Sequence, residues 1–152
     1  MLQPLILGSV TTLAGHIDEV IGAPAIGALV IAFTPAVDVT DDLAKDALAD
    51  GFIFMNGTEA GLGQKYRIKS HPAIAGAVSG NLTLWDAIRV APHADLTATV
   101  FYSPYRNVII HPSPPTAQLV GVCPMAVTAN YYFWIQTGGY APILVDGTVV
   151  ID

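Results

Sequence analysis

Two segments decide the fold class of this chain: Gly51-Phe-Ile-Phe-Met-Asn-Gly-Thr58 and Lys65-Tyr-Arg-Ile-Lys-Ser70. Gly51–Met55 and Lys65–Ser70 are short runs of β-branched, aromatic and alternating residues, which are typical of strands. Asn56-Gly57 is a turn dipeptide, because both residues accept positive φ. We therefore predict a β-hairpin whose loop follows Asn56-Gly57.

Similar runs, bounded by Gly, Pro, Asn or Asp, recur along the chain and predict further strands. They cover His16–Ile21, Ala28–Phe33, Leu96–Tyr102, Asn107–His111, Leu119–Val122, Tyr131–Thr137, Ala141–Val145 and Thr148–Ile151. The fold class that follows is all-β, with a β-sandwich or β-barrel of about eight to ten short strands.

One short helix is predicted from Asp41 to Ala49. Thr40 can cap its N-terminus, Asp41 and Asp42 suit the positive end of the helix dipole, and Gly51 ends it.

The chain has neither an internal repeat nor an abrupt change in composition, so residues 1–152 are predicted to form a single β domain. Residues 1–14 are apolar without a clear period, and we expect them to form an extended N-terminal arm.

The composition is unusually apolar. Hydrophobic residues make up 53% and charged residues 12% of the chain, whereas soluble domains have about a quarter of their residues charged. Such a surface is expected to be covered by a membrane or by partner proteins. The longest charge-poor stretch, residues 107–145, is interrupted by prolines and glycines and cannot form a spanning helix.

The N-terminus has no basic residue ahead of its apolar run and is a poor secretory signal. We therefore expect a non-secreted subunit, with no membrane partner, whose apolar surface is buried by assembly.

The net charge of −6 argues against nucleic acid as a partner, because phosphate binding needs clustered Lys and Arg. Most of the acidity lies in residues 1–60, where Lys45 is the single base. This asymmetry could orient the subunit against a neighbour, or it could be a solvated acidic face.

The sequence predicts no catalytic, cofactor-binding or metal-binding residues. The four histidines are dispersed without ligand spacing, and the single cysteine excludes an internal disulfide. A small hydrolase that uses His71 or His111 with an aspartate is the weakest alternative, since no Gly-x-Ser-x-Gly elbow occurs.

The strongest local feature is an aromatic cluster. As a strand, the segment would place Tyr131, Phe133 and Ile135 on one face and Tyr132, Trp134 and Gln136 on the other. Both faces are large and mostly apolar, so we predict that the chain's own core and another sheet or subunit cover them. The alternative is a carbohydrate-stacking platform made of Tyr132, Trp134 and Tyr140.

Several segments resemble structural proteins of tailed bacteriophages. The longest is Gly121 to Thr148, and Asp38-Val-Thr40, Ala49 to Thr58, Gly63 to Ala73 and Leu82 to Ile88 resemble the middle of the same proteins. Together they cover most of the chain from Asp38 onward.

The resemblance implies a capsid decoration or cement protein on the virion capsid surface, with the major capsid protein as its partner. It also implies a homo-oligomer, with a trimer favoured because capsid lattices offer local threefold positions, and it implies no catalytic residues. A carbohydrate- or receptor-binding module of the virion and a tail-associated structural subunit remain alternatives. The predicted interface residues are Tyr131, Tyr132, Phe133, Trp134, Ile135, Tyr140, Leu5, Ile6 and Leu7.

Overall fold

A computed structural model describes residues 2–4, 16–35, 42–56, 63–110 and 119–142. They form eight strands: β1 (Leu2–Pro4), β2 (His16–Ile21), β3 (Val30–Thr34), β4 (Phe52–Asn56), β5 (Lys65–Ser70), β6 (Gly80–Leu84), β7 (Thr97–Phe101) and β8 (Val108–Ile110). The chain divides into two compact units. We call Leu7–Ser103 the barrel unit, and Met1–Ile6 with Pro104–Asp152 the terminal unit.

Six antiparallel strands of the barrel unit close into a barrel in the order β2-β3-β6-β5-β4-β7, and β7 pairs with β2 to complete the circle. The predicted hairpin is β4–β5, in which Ile53 lies opposite Tyr66. The all-β prediction is confirmed, and of the two predicted architectures this unit adopts the barrel.

The barrel interior is filled by alternate residues of each strand. On β4 and β5 the buried residues are Ile53, Met55, Tyr66 and Ile68, and their neighbours in sequence point outward. The largest fully buried side chains of the unit are Phe33, Ile31, Leu48, Ile53, Met55, Ile68, Leu82, Leu84, Ile88, Leu96 and Val100. Each such side chain stabilises the fold by about 1.5–3 kcal/mol, which makes this interior the main source of stability.

Two strands are additional to the predicted set. β6 lies between β3 and β5 and places Leu82 and Leu84 in the core. In the terminal unit, β1 pairs antiparallel with β8, with Leu2 opposite Ile110. Residues 5–14 of the predicted arm lie outside the described residues.

The predicted helix from Asp41 to Ala49 is wrong over its described part. Residues 45–50 form successive turns, and Leu43 makes an isolated β-bridge with Ile74. Asp46 and Asp50 have φ values of 57° and 59°, in the left-handed region that no right-handed helix can contain. Tertiary hydrogen bonds to these residues outweigh the local helix preference.

Those hydrogen bonds centre on the buried His71. The Asp46 carboxylate accepts the His71 backbone N–H at 2.9 Å, and the Leu48 N–H donates to His71 Nε2 at 2.9 Å. Since Nε2 is an acceptor, the ring proton is on Nδ1, which donates to the Pro72 carbonyl oxygen 2.6 Å away. His71 therefore holds the turns that lead into β4.

Gly51 ends these turns where no side chain fits. A Cβ atom there would lie 2.1 Å from the Phe101 carbonyl oxygen and 2.9 Å from that of Leu48. The backbone of β7 can approach this closely only because residue 51 is glycine.

A β-bulge interrupts the β2–β7 pairing between His16 and Glu19. Asp18 lies in the bulge with φ 57°, and its backbone N–H donates to Thr99 Oγ1 at 3.3 Å. The Asn56 side-chain amide donates to Asp18 Oδ1 at 2.9 Å and also to Thr99 Oγ1. This polar cluster on the outside of the barrel fixes the bulge.

Candidate interaction surface

The terminal unit holds the aromatic cluster in a looped segment, residues 119–142. Val122 and Gln136 form an isolated antiparallel bridge, in which each backbone N–H donates to the other's carbonyl oxygen at 2.9 Å. The Gln136 side-chain amide donates to the carbonyl oxygens of Gly138 at 3.0 Å and Tyr140 at 2.8 Å. Gln136 thus ties the base of the loop to the turn that follows.

Gly121 allows the two ends of the loop to approach. A Cβ atom at this position would lie 2.9 Å from the Gln136 carbonyl oxygen and 3.1 Å from Ile135 Cδ1. Glycine is therefore required for the contact that seats Ile135.

The predicted strands Leu119–Val122 and Tyr131–Thr137 are wrong. The two segments are joined only by the isolated bridge between Val122 and Gln136, and neither segment forms a strand. Residues with positive φ, Asn130 at 66° and Gly139 at 76°, turn the backbone on either side of the aromatics. The aromatic residues favour extended structure, but a strand also needs a partner ladder. Residues 141–142 of the predicted strand Ala141–Val145 are not in a strand, and its remainder and Thr148–Ile151 lie outside the described residues.

The aromatic side chains point mainly into solvent. Tyr132 and Tyr140 are fully exposed, Trp134 is 94% exposed and Tyr131 is 71% exposed, whereas Phe133 and Ile135 are half-buried. Tyr132 and Trp134 are therefore both exposed to solvent. The expectation that the chain's own core covers one side is wrong for Tyr131, because the turn at Asn130 directs it outward.

We call Tyr131, Tyr132, Phe133, Trp134, Ile135 and Tyr140 the aromatic surface. Each large aromatic side chain presents about 150–250 Å², so the four exposed ones present roughly 600–1,000 Å². The largest apolar patch on a typical monomer is about 300–600 Å². No residue from 119 to 142 carries a charge. The summed area of these uncharged side chains is comparable to the roughly 800 Å² that each partner buries in a specific protein interface.

The other predicted interface residues, Leu5, Ile6 and Leu7, lie outside the described residues. His111, one of the two histidines considered for hydrolysis, also lies outside them. The second, His71, has both ring nitrogens engaged by backbone groups and has no free acceptor for a substrate proton.

A second group of exposed side chains was not singled out from the sequence. Lys65, Arg67 and Lys69 point outward from β5, and we call them the cationic row. Their alternation with buried Tyr66 and Ile68 is visible in the sequence once the segment is read as a strand. Their aromatic neighbours become visible only with the strand pairing.

Among the described residues, no group of three or more His, Cys, Asp or Glu side chains could hold a metal ion. Within the same ranges, no helix has the length and apolar character needed to cross a membrane. No protein-family model, curated protein or solved structure matches this chain.

Proposed function

We propose that the chain is a virion structural protein, a capsid decoration or cement subunit that binds the lattice of the major capsid protein through the aromatic surface. The observation that carries this proposal is the exposure of Tyr131, Tyr132, Trp134 and Tyr140 within an uncharged segment. The low charge of the whole chain and its resemblance to tailed-phage structural proteins support the same proposal.

The energetics suit attachment to a repeating lattice. Burying roughly 600–1,000 Å² at about 25 cal/mol per Å² gives about 15–25 kcal/mol of gross hydrophobic stabilisation. Association itself costs about 4–15 kcal/mol, so each copy binds with moderate net affinity. Homo-oligomerisation, for which a trimer is favoured at local threefold positions, would multiply these contacts.

The test combines the purified chain with shells assembled from the cognate major capsid protein, followed by co-sedimentation and cryo-EM. We expect stoichiometric density on the outer surface of the shell, with the aromatic surface against the lattice. The double variant Tyr132→Ser with Trp134→Ser should lose at least about tenfold in affinity, because exposed aromatic anchors of this kind become the dominant contributors once buried.

The matched control is Ile26→Ser, which replaces an exposed apolar side chain of the barrel unit. It should bind shells as the unmodified chain does. Equal binding by the double variant would refute the role of the aromatic surface, and absence of binding by the unmodified chain would refute the decoration function.

A carbohydrate- or receptor-binding module of the virion is the second candidate, favoured by the exposed ring faces of Tyr132, Trp134 and Tyr140. In a Trp85→Phe chain, Trp134 is the only indole, since the protein has two tryptophans. Iodide should quench its fluorescence in the free chain and not in assembled particles if the chain is a decoration subunit. Quenching that persists in particles supports the receptor-binding function instead.

A further inference from the structure

The outward face of the barrel around β5 combines basic and aromatic side chains in a regular pattern. The cationic row occupies alternate positions of the strand, and the bulge between β5 and β6 lies beside Lys69. On the neighbouring strand β4, Phe52 lies opposite Arg67 and Phe54 lies opposite Lys65. On the other side, the Trp85 backbone N–H donates to the Arg67 carbonyl oxygen at 3.0 Å.

These aromatic rings hold the cations in place. Lys65 Nζ lies 4.7 Å from the centre of the Phe52 ring and 5.8 Å from that of Phe54. Lys69 Nζ lies 5.0 Å and Arg67 Cζ 5.9 Å from the Trp85 ring. Cation–π attraction of about 0.5–1 kcal/mol per contact at exposed sites orders the long side chains before any partner arrives. A preordered group loses less conformational entropy on binding.

Acidic side chains neutralise only part of this face. Asp50 pairs with Arg67 at 2.8 Å, whereas the described residues provide no ion pair for Lys65 or Lys69. The row therefore contributes three of the protein's six Lys and Arg residues to one strand of a chain whose net charge is −6. The row is a basic patch on a protein of net negative charge, and such a patch attracts anionic groups and sets their orientation.

The geometry points to a protein segment as the anionic partner, rather than to nucleic acid. A single-stranded nucleic acid needs free ring faces for base stacking, but cations already cover the rings of Phe52 and Trp85. The net negative charge also opposes a long polyanion. Side chains at alternate positions of a strand are about 6.6 Å apart along its axis. Carboxylates at every second position of an extended segment have the same spacing, so they can face the cationic row one to one.

We propose that the outward face of β5 is a docking site for an acidic, extended segment of a partner protein, with its carboxylates at alternate positions facing Lys65, Arg67 and Lys69. The site shares no residue with the aromatic surface, and its existence does not depend on the decoration function.

The experiment uses the full chain with Trp134→Phe, so that Trp85 beneath the row is the only indole. The probe is a labelled synthetic peptide in which glutamate alternates with serine, followed by fluorescence anisotropy and by the emission of Trp85. We expect saturable binding that weakens with salt and changes Trp85 emission. Lys65→Gln with Lys69→Gln should weaken binding about tenfold, since exposed ion pairs contribute up to about 1 kcal/mol each.

Lys45→Gln is the matched control, because Lys45 is exposed on the turns before β4 and lies outside the row. It should leave the affinity unchanged, and a peptide of the same composition with its glutamates in one block should bind more weakly. Equal losses for Lys45→Gln, equal binding of the block peptide, or absence of binding would each overturn the proposal. Tighter binding of oligothymidylate would assign the face to nucleic acid instead. No capsid shells are present in this assay, so its failure is distinguishable from failure of the decoration function.

Discussion

Replacing His71 with alanine should destabilise the barrel unit by about 3 kcal/mol. The substitution removes the acceptor of the Leu48 N–H, and an unsatisfied buried donor costs about 1–3 kcal/mol. His71 is 3% exposed, so loss of its ring also leaves a cavity. The cavity costs about 1 kcal/mol more. The hydrogen bonds from the Asp46 N–H to the His71 carbonyl oxygen and from the His71 N–H to the Asp46 carboxylate can persist, because they do not involve the ring.

Urea unfolding monitored by Trp85 emission in the Trp134→Phe chain measures this loss in the barrel unit. With an m value of about 2 kcal/mol/M, a loss of about 3 kcal/mol lowers the midpoint by about 1.5 M. His71→Phe separates the two contributions, since it fills the volume but provides no acceptor, and should still lose about 1–3 kcal/mol. His93→Ala is the control, because His93 is about half exposed beside Asp95 and should change stability by less than about 0.5 kcal/mol. A His71→Ala midpoint equal to that of His93→Ala would refute the structural role given to the ring.

Two further substitutions test the outside of the barrel and its closest backbone approach. Gly51→Ala should cost about 3 kcal/mol or prevent folding, because its Cβ would overlap the Phe101 carbonyl oxygen, and thermal unfolding followed by circular dichroism measures this. Wild-type thermal stability in this variant would show that the backbone can move apart there. Asn56→Asp should cost about 1 kcal/mol at neutral pH, because it places a second carboxylate beside Asp18 and removes the amide donor to Thr99. Added salt and the second change Asp18→Asn should each recover part of the loss in a double-mutant cycle, and strict additivity would contradict the direct contact.

Alternation of polar and apolar residues made much of the barrel predictable. The predicted bounds of β2 and β5 match the structure, and those of β4 and β7 differ by one residue at each end. β6 was missed because Gly80-Asn81 is typical of a turn, although Leu82 and Leu84 show the alternation of a half-buried strand.

The errors arise where distant residues decide local structure. Asp41 and Asp42 suit a helix N-terminus, but in the fold the Asp42 carboxylate accepts the N–H of Gly76 and the Asp46 carboxylate accepts the N–H of His71. Neither partner can be identified from local sequence. The aromatic residues around Trp134 were predicted to form a strand because their propensity is high, yet propensity cannot supply the neighbouring strand.

The candidate surfaces show the same division. The aromatic cluster itself was visible in the sequence. The exposure of its side chains follows from the turns at Asn130 and Gly139, which a sequence pattern does not specify. The cationic row follows from strand alternation, but the position of Trp85 beside it requires the pairing of β6 with β5.

Closure of the barrel by β7 also constrains how the chain folds. β2 begins at His16 and β7 ends at Phe101, so the β2–β7 pairing that closes the barrel joins distant parts of the sequence. Such nonlocal pairing slows folding, since the entropy of closing a long loop is lost before the contacts form. During synthesis, a nascent chain that ends before β7 can form at most an open sheet with unpaired edges at β2 and β4. Those edges can pair with other chains until the last strand of the barrel emerges from the ribosome.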